Sequence, residues 1–162
     1  MSQIVLAKKV VLMSEINECK MCQRLKSIKT DRLLIRELDH SYLLLGDHQY
    51  FNGYCVVMYK NHVREMHDLP LHLQSKLMSE VVHAAKIINL AFRPWKINYS
   101  CYGNVVEHIH WHTFPRYQSD PDLRMHPWLH SAKFNEFVST PEQVTRNIEL
   151  INKTYLETLS TY

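Results

Sequence analysis

Apolar and polar positions alternate with different periods along the chain, and each change of period marks an element. Residues 41–45 and 54–59 are short runs rich in aromatic and branched side chains, separated by the turn-prone stretch 46–53, which predicts an antiparallel strand pair. From Leu71 to Phe92 the apolar residues Leu73, Leu77, Val81, Ala84 and Ile88 recur every three or four positions. That spacing predicts one long amphipathic helix, which Arg93-Pro94 ends. Strand-like patterning returns at 97–102 and 105–114, joined through Gly103-Asn104, a natural turn pair. Residues 115–127 carry prolines and aspartates without a period and are expected to form a loop. Thr140-Pro141-Glu142-Gln143 then has the grammar of a capping box, and Val144, Ile148, Ile151 and Tyr155 continue one apolar face of a C-terminal helix. A helix set between two strand pairs gives an α+β domain.

Length and composition narrow the picture without changing it. The 162 residues suit one domain, and 46% hydrophobic with 22% charged side chains is ordinary for a globular chain. No repeat, Ser/Gly linker or charge block divides it. The expected organisation is an N-terminal extension at 1–18, the main domain at 19–130 and a C-terminal helical segment at 131–162. Nineteen basic against sixteen acidic residues leave a dispersed +3, which argues against a nucleic-acid groove and for a small ligand. No apolar run is long enough to cross a bilayer, and the N-terminal patches around Lys8-Lys9 have the wrong order for a signal peptide. A cytoplasmic protein without a membrane partner is the expectation. Of four cysteines, Cys19 and Cys22 form a CxxC pair, whereas Cys55 and Cys101 lie in apolar segments and are expected to be buried thiols.

The eleven histidines carry the candidate chemistry, because imidazole is suited to proton transfer and metal binding near neutral pH. In His108-Ile109-His110-Trp111-His112 they alternate with other residues. On a strand this puts three imidazoles on one face, roughly 6.7 Å apart, and Ile109, Trp111 and Thr113 on the other. One reading is a strand whose polar face happens to be histidine; the other is a site where neighbouring rings address different atoms of one phosphate. The CxxC pair alone is half a zinc site, a redox pair or a reduced surface pair. His40, His48, His67, His72, His83, His126 and His130 show no comparable spacing and are assigned no role.

Residues 103–117, with their His-x-His-x-His-x-x-Pro-Arg run, resemble the signature of the histidine-triad (HIT) family. The similarity extends upstream through the long helix and residues 53–62 to Cys19. It implies a HIT-like fold of about five antiparallel strands packed with a long helix. It also implies a nucleoside phosphate or dinucleoside polyphosphate as substrate and attack by the middle histidine, His110, on the α-phosphorus. His112 would then donate to a phosphate oxygen or the leaving group. Asn104 is placed to supply a donor to the phosphoryl oxygens, or merely to make a turn with Gly103; Asn98 and Ser100 are further candidates for lining the pocket. Asp47 is the nearest equivalent of the residue that holds the ribose hydroxyls, or a solvated turn aspartate. By the same resemblance Cys19, Cys22, His62 and His108 occupy the places of a closed, structural zinc site. Family members commonly form homodimers through the long helix and adjacent strand. Tyr54 stands where many relatives have another histidine, and the 98–104 loop is short, so substrate preference does not carry over. Tyr54 and Asn104, the latter standing where the family more often has Gln or Ser nearby, permit an alternative, a nucleotide-binding sensor or adaptor with a structural zinc; a zinc-dependent interaction module is a third. Trp128 resembles a C-terminal tryptophan that approaches the site in some relatives, or is a core residue.

Overall fold

The structure, a computed structural model, describes residues 17–160, so nearly all of the expected 1–18 extension lies outside the described residues. Five strands form one antiparallel sheet: β1 (Leu34–Glu37), β2 (Ser41–Leu45), β3 (Cys55–Tyr59), β4 (Lys96–Ser100) and β5 (His110–Arg116), in the order β1-β2-β3-β5-β4. Among the described residues these helices accompany them: α1 (Lys20–Lys26), α2 (Leu71–Phe92), α3 (Ser131–Glu136) and α4 (Pro141–Leu159). This is the expected α+β architecture, with a five-stranded antiparallel sheet, a long helix and a C-terminal helix.

Period-two alternation divides the sheet into two faces with different work. Leu43, Leu45, Cys55, Val57 and Tyr59 point to the face covered by α2 and α4, where they meet Leu77, Val81, Ile88, Val144 and Ile151 in the main core. Full burial of each of these aliphatic side chains contributes roughly 2 kcal/mol. Arg93 ends α2 in the left-handed region (φ 49°), its N–H bonded to the Asn89 carbonyl. Thr140 caps α4, its hydroxyl accepting from the Gln143 N–H at 3.2 Å. The opposite face carries Leu44 and Met58 under Ile28, and an aromatic cluster of Phe51, Tyr54, Phe114 and Phe134. Val56 packs against both groups, and a cavity opens beside them.

Three expectations are corrected. Residues 105–114 are not one strand: 101–109 are irregular and β5 starts at His110, so His108 lies just before the strand rather than on it. β5 also runs through Pro115 to Arg116, into the stretch expected as loop. It can do so because pairing with β3 stops at Thr113; Arg116 turns its carbonyl toward Trp95 on the β4 side, so the missing N–H of Pro115 faces a side with no partner strand among the described residues. Cys101, expected buried, is exposed, while Cys55 is fully buried. β1, α1 and α3 were not expected from the pattern, being four, seven and six residues long, too short to show a period.

Candidate active site and metal cluster

Two sites of different character flank His108. On one side, α1 starts at the CxxC pair and brings Cys19 and Cys22 against His62, which follows β3, and against His108. Their ligating atoms all lie within 4.8 Å of one another. Cys22 Sγ is 3.3 Å from His62 Nδ1 and 3.5 Å from His108 Nδ1; Cys19 Sγ is 3.6 Å from His108 Nδ1. The His108 tautomer is fixed from behind: Nε2 is 2.8 Å from the Tyr59 carbonyl, which only accepts, so Nε2 holds the proton and Nδ1 turns its lone pair to the sulfurs. Burial, with Cys19 alongside, pushes the Cys22 thiol up to about 12, so a thiolate there needs a cation beside it.

On the other side, a cavity of about 590 Å³ opens on the sheet face between α1 and the aromatic cluster. His110 and His112 line its floor; Asp47 and His48 from the β2–β3 loop, Asn104 from the 101–109 segment, and Trp128 and Phe134 from the C-terminal part form its walls. His110 has the tautomer opposite to that of His108. Its Nδ1 lies 2.6 Å from the His108 carbonyl, so Nδ1 carries the proton and Nε2 keeps the lone pair. Burial holds its pKa below the usual imidazole value despite that bond, which leaves the ring neutral and nucleophilic at neutral pH.

His112 meets Tyr54 across the sheet. Val56 pairs with His112, and Tyr54, two residues earlier on the same face, reaches Nδ1 with its hydroxyl at 2.7 Å. The phenol is fully buried and its pKa is raised by that burial, so the O–H stays protonated and is suited to donate to Nδ1, which puts the His112 proton on Nε2. Burial first, then the neighbouring His110 and His48, drives the His112 imidazole down to about 3. The floor therefore offers one neutral lone pair and one neutral N–H side by side, with ring centroids 4.8 Å apart. A phosphorus centre attacked at one ring and hydrogen-bonded by the other suits that pair. Gly46 makes the Tyr54 position possible, because a Cβ there would overlap the phenol ring.

Of the residues singled out in the sequence, His110, His112, Asn104 and Asp47 come together around the cavity, and Cys19, Cys22, His62 and His108 around the second centre. Asp47 is exposed and reaches Arg24 at 3.4 Å. Asn98 and Ser100 do not line the cavity: the Asn98 side-chain carbonyl accepts from Arg116, and the Ser100 hydroxyl accepts from the Trp128 indole at 3.2 Å. Sequence reasoning missed His48, whose ring is stacked between Tyr54 and Phe134 and whose pKa burial lowers to about 4. Strand alternation from Val56 back to Tyr54 was the available signal for the Tyr54 contact; none marked His48.

The sequence model of the HIT domain matches residues 28–119, more than half of the chain. No curated protein sequence gives a significant match. Among solved structures, a histidine triad protein from Sinorhizobium meliloti superposes with a TM-score of 0.67 at 21% identity, over 80% of this chain and 93% of that one. A zinc-bound histidine triad family protein from Mycobacterium smegmatis gives 0.63 at 18% identity, over 91% and 99%. The diadenosine triphosphate hydrolase of Plasmodium falciparum, solved with cyclomarin A, gives 0.56 at 16% identity, over 78% of each chain. The domain match and the shared fold together make this chain a member of the HIT domain family.

Proposed function

We propose that the protein is a nucleotide hydrolase or nucleotidyltransferase that cleaves a phosphoanhydride or phosphoramidate at the α-phosphorus through a nucleotidyl-histidine on His110. The observation that carries this reading is the His110 tautomer: Nδ1–H bonded to the His108 carbonyl and a lone pair on Nε2, in a ring that lines the cavity. Nε2 forms the N–P bond as the bond from phosphorus to the leaving group breaks. The positive charge that develops on the ring is shared with the Nδ1–H and met by the His108 carbonyl. His112 hydrogen-bonds through Nε2–H to the leaving oxygen, and the Tyr54 hydroxyl on Nδ1 keeps that proton in place. Water then attacks phosphorus, the N–P electron pair returns to Nε2, and the proton from water leaves with the product or solvent. Asn104 supplies a donor to the phosphoryl oxygens, and Asp47 accepts from the ribose hydroxyls. The hydrolase named among the structural neighbours supports testing diadenosine triphosphate first.

The second centre fits a structural zinc. Two thiols and two imidazoles make a complete tetrahedral set, and ordinary Zn–S and Zn–N lengths imply ligand–ligand edges of roughly 3.3–3.8 Å. The 3.3, 3.5 and 3.6 Å contacts match those edges. A relative of the same fold was solved with zinc bound, which supports testing for the ion. Cys19, Cys22, His62 and His108 would hold the ion and leave no open position, so it would supply folding energy and no Lewis acid. A homodimer is part of the same reading: Leu71, Met78 and Val82 are exposed along α2, and β4 is a sheet edge. Light scattering after size-exclusion chromatography checks it, and a 19.3 kDa particle overturns it.

The deciding experiment is mass spectrometry of protein quenched during turnover of diadenosine triphosphate. An adduct of one nucleoside monophosphate on the peptide containing His110 is expected. Binding without any adduct, in the same quench, favours instead the sensor or adaptor reading.

A further inference from the structure

The β2–β3 loop carries Asp47 and His48 into the cavity and ends at Tyr54, the partner of His112, yet its own main chain does little to hold it. Gly46 N–H bonds to the Tyr54 carbonyl and Tyr54 N–H to the Phe51 carbonyl. Further ties are the Tyr117 hydroxyl, which donates to the Asn52 carbonyl at 2.7 Å, the Arg24–Asp47 pair, and the side chain of Gln49, a residue only 2% exposed. Its Nε2 donates to the Gly46 and Tyr54 carbonyls at 3.3 and 3.0 Å, and its Oε1 accepts from the Gly53 N–H at 2.9 Å.

That side chain is in turn fixed from α4. Asn147 is 1% exposed, and its amide nitrogen donates to Gln49 Oε1 at 2.8 Å and to Asn52 Oδ1 at 2.9 Å. Ser139, just before α4, accepts from the Gln49 N–H at 2.9 Å. Both N–H bonds of one buried amide are thus spent on the loop, and no apolar side chain of similar size reproduces them. Residue 147 also lies outside the span 28–119 that the domain model matches.

We infer that Asn147 is a positioning residue for the active site: through Gln49 and Asn52 the C-terminal helix sets the loop that presents Asp47 and His48 and aims the Tyr54 hydroxyl at His112. The inference rests on the proposed activity for its kinetic consequence, but its geometric content stands apart from substrate. Asn147→Asp keeps the shape of the side chain and turns two donors into acceptors facing two carbonyl oxygens. Ile151→Val, on the same helix and fully buried, trims the core without touching the loop, and serves as the control for lost stability.

The test compares both variants with the wild-type full-length, metal-loaded protein well below their melting temperatures. The first readout is the ¹⁵N spectrum of the His112 ring, which reports the Nδ1 hydrogen bond and the tautomer without any ligand. Asn147→Asp is expected to shift or broaden these signals, and Ile151→Val to leave them as in wild type. The second is turnover of diadenosine triphosphate, where Asn147→Asp is expected to lose about ten- to a hundredfold in kcat/KM, the scale of a misplacement near 1 Å. Ile151→Val is expected to lose none. Unchanged His112 signals in Asn147→Asp, or equal changes in the two variants, overturn the inference. A wild-type protein that turns over nothing refutes the proposed activity, while the ring spectra still decide the role of Asn147.

Discussion

His108 and His110 stand two residues apart and hold their protons on opposite ring nitrogens. His108 gives Nε2–H to the Tyr59 carbonyl and turns the Nδ1 lone pair toward two sulfurs; His110 gives Nδ1–H to the His108 carbonyl and keeps the lone pair on Nε2. The first ring belongs to a closed set of four donors, the second to the floor of a cavity. Residue type does not separate the proposed structural histidine from the proposed chemical one; the carbonyl behind each ring does. The two centres are also coupled, because His108 serves one through its ring and the other through its main-chain oxygen.

The largest effect that sharpens this contrast is expected at the cavity. His110→Asn removes the lone pair and is expected to lower turnover of diadenosine triphosphate by about 10⁴-fold or more. Zinc content by elemental analysis and the melting temperature should stay near those of wild type. Turnover retained in that variant breaks the assignment. The converse change, Cys22→Ser, or removal of metal by a chelator, should show the opposite profile: a fall in Tm of about 10 °C or more, because a structural ion contributes folding energy. Activity should drop by about tenfold through the loosened His108 carbonyl. A chelated protein with an unchanged Tm would separate the cluster from the fold.

How far this division was legible in the sequence follows from the range of each interaction. The long helix α2, the capped α4 and strands β2 to β5 announce themselves because periodicity is a local signal, and Leu77 or Val81 is placed by its own neighbours in the chain. Among the described residues β1 pairs with β2 alone and has one buried residue, Ile35, so its sequence says little. The four-donor set was implied by the resemblance, since spacing alone offered only the CxxC pair, and the structure gathers it. What alternation misplaced was His108, put on a strand that starts two residues later, since Gly103 and Asn104 mark a turn without fixing its length. His48 escaped because its position depends on Phe134 and on Gln49 held from α4, contacts made between distant segments.

A smaller effect probes the second chemical ring. Tyr54→Phe deletes one hydroxyl and leaves His112 Nδ1 without its 2.7 Å partner in a buried setting. Loss of the partner of a buried group costs about 1–3 kcal/mol, part of which falls on the correct tautomer, so kcat should fall by about tenfold. KM should change little, and the His110 adduct should still form, more slowly. A Tyr54→Phe enzyme with wild-type kcat would mean that His112 needs no orienting bond.

The smallest expected effect concerns acid, and it separates the centres by sign and by residue. His112 titrates near 6.5 when unfolded and about 3 when folded, because burial, then His110 and His48, disfavour its cation. Above 6.5 neither state binds the proton and stability is complete; below it the unfolded chain gains a proton that the folded one refuses, so stability falls as the pH drops toward 3. One such group contributes about 1 kcal/mol per pH unit in that window. His48, lowered to about 4, acts in the same direction, with a smaller share because it is partly exposed. If the proposed zinc is bound, protonation of its cysteine and histidine ligands also weakens the fold in acid, so the total slope mixes the two centres. The difference between wild type and His112→Asn separates them, since the cluster is common to both. Urea midpoints measured from pH 7 to 5 should converge as the pH falls, the variant losing less than wild type. Parallel lines would mean that the floor of the cavity is wet enough to hold a charged imidazole, and the contrast between a closed polar centre and a desolvated chemical one would have to be given up.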